Sequence, residues 1–198
     1  MALPKTDAFT GTNGTALPTY DANYSYGTGT WQINTNAATP TTVNGSTMAA
    51  VFWNGDTFAA AQTVVGTLVG SSAGMYRGGG LRMSGDEGYY FFASVGGGDS
   101  YFGSMSNGAP SDIGGDRGEF SAGQTIGFEV SAAFAFTFKQ NGSSIGTASD
   151  AGSLFATGKV GMMGYDVNTA VRLDDVTYDG AVAGGAARKD LLLLGVGQ

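Results

Sequence analysis

Gly123–Gly142, GQTIGFEVSAAFAFTFKQNG, decides the fold. Ile126, Phe128 and Val130 alternate onto one face. The alternation resumes with Phe134, Phe136 and Phe138, and Asn141-Gly142 closes the run. Period-two patterning of aromatic and β-branched residues, bounded by a glycine and an Asn-Gly, predicts two antiparallel strands. A face of phenylalanines needs a second apolar layer to cover it, so the hairpin implies two stacked sheets.

The pattern recurs outward from this hairpin. Thr28–Asn34, Ser46–Trp53, Gly88–Val95, Ser100–Ser106, Ser143–Thr147, Gly158–Tyr165 and Ala170–Tyr178 read as strands, with a short edge strand at Ala8–Thr10. Thr57–Val69 carries alanines that suit a helix, but its β-branched second half, TVVGTLV, favours a strand. Gly74–Met83 reads as a strand with a glycine bulge at Gly78–Gly80. No helix and no Lys-Ser/Thr follow it, so it is not a phosphate loop. Thr39–Gly45 reads as a turn and Asn107–Gly118 as a polar loop. The sum is roughly twelve strands at regular spacing and no helix.

Composition narrows the chemistry. The 198 residues suit one β domain and include no cysteine and no histidine. Disulfides, thiolate or imidazole metal sites and Ser-His-Asp or Cys-His catalysis are therefore ruled out. Glycine reaches 35 residues. Five Asn-Gly pairs, at 13–14, 44–45, 54–55, 107–108 and 141–142, suit turns with positive φ at both central positions. The net charge of −7, with no basic cluster larger than Arg188-Lys189, opposes nucleic acid as a partner. No apolar run approaches the ~18 residues of a membrane span, and MALPKTDAF lacks the apolar core of a secretion signal.

In order along the chain, Asp7-Ala8-Phe9, Gly29-Thr30-Trp31-Gln32-Ile33, the Arg-bearing stretch Leu81–Phe92 with its Gly-Tyr-x-Phe, the Gln124–Gly142 hairpin, Gly158–Gly161 and Leu173–Tyr178 form a series of short motifs. Together they resemble the concanavalin A-like lectin/glucanase superfamily in its laminin-G-like jelly-roll branch, over about residues 7 to 179. The resemblance implies an all-β, two-sheet antiparallel jelly-roll sandwich, here residues 1–179, followed by a linker and extended C-terminal arm at 180–198. It also implies a glycan-binding surface in many members and, in some, a structural Ca²⁺ where the first and last strands meet. Asp7 with Asp174 or Asp175 matches that place. The alternative is that these aspartates cap strand ends or pair with Lys5 or Arg172.

The candidate functional residues fall into three groups. Catalysis is not expected: Glu87, Glu119 and Glu129 are the only glutamates, and none sits in the superfamily's Glu-x-Asp-x-x-Glu strand. Asp112 and Asp116 read as turn caps. For glycan binding, Trp53, Asn54 and Asp56 set an indole beside a polar turn, and Tyr76, Tyr90 and Tyr101 project from neighbouring strands; the competing role for each is core filling. For partner docking, Arg188, Lys189, Leu191, Leu192, Leu193, Leu194 and Val196 form an apolar arm that needs a surface to cover it. The leading expectation is a non-catalytic bacteriophage virion protein, a head decoration or tail appendage. It would assemble in the host cytoplasm as a homo-oligomer, bind other virion proteins through the arm and touch a surface glycan. The alternatives are a free carbohydrate-binding module and a degenerate glycoside hydrolase.

Overall fold

The computed structural model describes residues 3–43, 48–114 and 117–180. The predicted hairpin is present as β11 (Thr125–Val130) and β12 (Ala135–Gln140), in register with Phe128 opposite Phe138 and Val130 opposite Phe136. Phe128, Phe136 and Phe138 stack along one face, and across the interior Phe138 meets Phe91 at 4.8 Å and Phe136 meets Phe102 at 4.9 Å. Each buried ring contributes roughly 1.5–3 kcal/mol by leaving water. Phe134 departs from expectation. It sits in the turn at φ 59°, half-buried, with the Arg82 guanidinium 3.9 Å from its ring.

One sheet has eight strands. Its path runs β13 (Ser143–Ser149), β12, β11, β6 (Gln62–Val69), β15 (Arg172–Gly180), β4 (Ala38–Thr42), β3 (Thr30–Ile33), with β1 (Lys5–Asp7) also paired to β15. The other has seven, ordered β10 (Ala109–Gly114), β9 (Tyr101–Ser106), β8 (Glu87–Ser94), β7 (Tyr76–Ser84), β14 (Lys159–Tyr165), β5 (Met48–Trp53), β2 (Tyr24–Thr28). This is the expected antiparallel sandwich of jelly-roll type. Among the described residues there are fifteen strands rather than twelve, plus a four-residue helix, α1 (Leu17–Tyr20).

Four local expectations are corrected. The first strand is Lys5–Asp7, because Phe9 turns at φ 46° to bury its ring. Thr39–Gly45 holds a strand despite Pro40: β4 pairs along β3, where Pro40 lies opposite Trp31 beside a register shift, and meets β15 only at Leu173. Asn107–Gly118 contains the edge strand β10, which follows the Asn107-Gly108 turn (φ 51° and 72°). Gly78–Gly80 pair regularly with Phe92, Phe91 and Tyr90, and the bulge lies beyond them, between Leu81 and Ser84. A Cβ at Gly79 would strike Val64, so that glycine is there for sheet-to-sheet approach.

Two buried arginines, one near each end of β7, gather the loops at the ends of the sandwich. Arg77 donates to the carbonyls of Tyr76, Tyr165, Asn168 and Val171, and Arg82 to those of Ala60, Ser131 and Phe155. Carbonyl dipoles thus take the place of a carboxylate partner.

Candidate functional site: an aromatic groove on the seven-stranded sheet

Strand alternation divides β8 between two layers. Tyr89, Phe91 and Ala93 point into the core between the sheets; Tyr90 and Phe92 point to the outer face. On that outer face they join Met48, Ala50, Met83, Met105 and Met163, with Phe52, Tyr76, Tyr101 and Tyr165 half-buried against them. An antiparallel sheet commonly turns a polar face to water. The eight-stranded sheet does so, with Thr63, Glu129, Thr137 and Lys139 outward and Glu129 paired to Lys139. The seven-stranded sheet carries an apolar, aromatic layer instead.

Into this layer is set a groove of about 510 Å³, lined by Tyr76, Tyr90, Phe92, Tyr101, Asp112 and Tyr165, with Gly74 and Pro110 at its margin. That volume lies within the range of small-ligand sites. Register assembles it: Tyr165 lies opposite Tyr76, Phe92 opposite Tyr101, and Tyr90 opposite Gly103, which in turn faces Asp112. Gly103 has no side chain, so the Tyr90 ring crosses β9 and its hydroxyl donates to Asp112 Oδ1 at 2.7 Å. Tyr76 meets Tyr101 at 5.5 Å and Tyr165 at 5.9 Å, edge to face. Burial, then the adjacent Tyr101 hydroxyl and the Asp99 charge, push the Tyr76 hydroxyl above its ordinary value. Burial and Asp112 do the same to Tyr90. Both hydroxyls therefore stay protonated as donors at neutral pH.

The sequence candidates separate cleanly. Tyr76, Tyr90 and Tyr101 come together in the groove, but Tyr90 is 1% exposed and forms floor, leaving Tyr76, Tyr101 and Tyr165 as the accessible rings. Trp53 is removed from the set. It is 0% exposed in the inter-sheet core, stacked on Tyr178 and edge-on to Tyr24, and its indole donates to Asp56 at 2.9 Å. Asn54 is exposed at that turn, away from the groove. Phe92, Tyr165 and Asp112 also line the groove and were not among the sequence candidates for glycan contact. The alternation Gly161, Met163, Tyr165 carries the signal for Tyr165.

The calcium expectation does not fit the residues. Asp7 accepts from Tyr20 at 2.8 Å, Tyr24 at 3.0 Å and the Phe9 amide at 2.9 Å, with the Lys5 ammonium 3.9 Å away. Donors fill the space a cation would need. Asp174 accepts the Asp175 amide at a bulge in β15, and among the described residues no group of three acidic side chains is placed to hold a metal. The docking residues Arg188, Lys189, Leu191–Leu194 and Val196 lie outside the described residues. Among the described residues no helix is long and apolar enough to cross a membrane.

No family model matches the sequence, and no curated protein matches it. Solved structures do match the fold. The carbohydrate-binding module CBM66 from Bacillus subtilis superposes with a TM-score of 0.63 at 17% identity, covering 80% of this chain and 96% of that one. A Bacillus subtilis protein of unknown function with a galectin-like fold gives 0.55 at 12% identity, over 86% and 98%. The transglycosylase Crh5 gives 0.53 at 12% identity, over 91% and 85%. The fold is thus similar to that of carbohydrate-binding modules and galectin-like proteins.

Proposed function

We propose that this chain is a carbohydrate-binding protein of the lectin-like sandwich type, non-catalytic, with its site in the outer groove of the seven-stranded sheet. The observation that carries the reading is the convergence of three accessible tyrosines with the anchored carboxylate of Asp112. Sugar rings present apolar C–H faces and hydroxyl rims, which aromatic faces and carboxylate or phenol groups complement. Similarity of fold to a carbohydrate-binding module supports the reading without supplying a ligand. Among the described residues Asp112 is the one carboxylate lining the groove, and retaining or inverting hydrolysis needs two. Glu129 lies on the other sheet, paired with Lys139.

The virion reading rests on the arm at 188–196, outside the described residues, and none of the comparisons supports it. A glycan array probed with the wild-type chain and with a Tyr76→Ala/Tyr101→Ala variant tests the proposal. The wild type should bind at least one saccharide class, and the variant should lose it with an unchanged melting temperature. A blank array for the folded wild type would sink it.

A further inference from the structure

The groove is acidic, and among the described residues no cation lines it; Arg77, behind Tyr76 and Tyr165, spends its guanidinium on backbone carbonyls. Asp112 lines it, with Oδ1 held by Tyr90 and no donor to Oδ2 among the described residues. Asp99, exposed on the β8–β9 loop, is near enough for its charge to act on Tyr76. The chain has nine basic residues, of which Arg188 and Lys189 lie outside the described residues. Lys5 sits over Trp53, and Arg77 and Arg82 are buried among carbonyls. Arg117 lies over Phe138, Lys139 pairs with Glu129, Lys159 donates to the Asp56 carbonyl and Arg172 to that of Thr169.

A carboxylated or sulfated sugar entering here would set its charge beside Asp112 with no cation among the described lining residues to offset it. An ammonium would meet a carboxylate and the faces of tyrosines, whose ring quadrupoles attract cations. We propose that the groove selects saccharides bearing a protonated amine, of the glucosamine type. The ammonium is held by Asp112 and the Tyr76–Tyr101 pair; this rests on the carbohydrate reading above.

Three probes of equal length decide it by calorimetry at mildly acidic pH and moderate salt: a β-1,4-linked glucosamine oligomer, its fully N-acetylated counterpart and a galacturonic acid oligomer. Acetylation removes the charge and leaves the ring. The amine oligomer should bind about tenfold or more tightly than the acetylated one, the uronate should not bind, and Asp112→Asn should erase the preference. Equal affinity for amine and acetyl forms, or binding of the uronate, overturns amine selection while leaving carbohydrate binding intact. Glu129→Gln, on the opposite sheet, is the control for the overall charge of −7. If it weakens amine binding as much as Asp112→Asn does, attraction is non-specific and the proposal fails. No binding of any probe, together with a blank array, removes the carbohydrate reading as well.

Discussion

Tyr90 and Trp53 are both fully buried aromatics with a hydroxyl or indole donor satisfied by an aspartate, yet they belong to different layers. Trp53→Ala should cost roughly 3–5 kcal/mol of stability, because the Tyr24 and Tyr178 rings lose their packing partner. Denaturant unfolding reads that loss directly. Tyr90→Phe keeps the ring and removes one hydrogen bond. About 1 kcal/mol of stability should go, and ligand affinity should fall with it as Asp112 loses its anchor. A second residue-scale consequence concerns alkali. Burial, with hydrogen bonds to Asp7 and Asp150, lifts the Tyr20 and Tyr89 hydroxyls to about 12 from an ordinary value of 10.0. The folded chain holds these protons more tightly than the unfolded one. Their stabilisation is therefore complete below pH 10 and is lost as pH rises toward 12. Melting temperatures recorded across that interval should fall steeply; a flat profile would show that the hydroxyls are not coupled to folding.

At the level of elements, sequence legibility followed how much each strand depends on its neighbours. β11 and β12 carry their own signal, with apolar alternation and an Asn141-Gly142 turn at φ 50° and 78°. β10, Ala109-Pro110-Ser111-Asp112-Ile113-Gly114, carries none, being exposed along almost its whole length, and exists because β9 offers it a ladder. β4, buried at Ala38, Thr39 and Pro40, was hidden for a different reason: Pro40 interrupts its strand signal. The groove was half legible. Alternation puts Tyr76, Tyr90 and Tyr101 on strands, but Asp112 joins them only through the register of β8, β9 and β10. Trp53 misled because an indole beside a polar turn says nothing about which face it takes. Gly103 is where element and site meet. A Cβ there would strike the Ser111 carbonyl and the Tyr90 hydroxyl, so Gly103→Ala should displace Tyr90, loosen β10 and abolish saccharide binding. Hydrogen exchange should rise in 109–114 and leave β11 and β12 protected.

For the molecule as a whole, Asp7 is the meeting point of the two sheets. It stands on β1 of the eight-stranded sheet and takes hydroxyls from Tyr20 of α1 and Tyr24 of β2, which belongs to the other sheet. Tyr24 lies 3.3 Å from the Tyr178 hydroxyl of β15. Asp7→Ala would strand these donors, and a loss of several kcal/mol, roughly 1–3 for each buried group left unpaired, should appear in denaturant unfolding without altering the groove's lining. The pairing of β1 with β15 carries one more consequence. Lys5 lies opposite Tyr178, and the Thr6 hydroxyl meets that of Thr177 across 171 residues of chain. That part of the eight-stranded sheet cannot form until the two ends of the sandwich have found each other. Contacts so distant along the chain make for slow folding, on the order of milliseconds to seconds. Stopped-flow refolding should place the chain in that regime. A circular permutant that joins β15 to β1 by a short loop and opens the chain at Gly152-Ser153, between β13 and β14, which do not pair with each other, should refold faster, because its most distant pairing has become a local one.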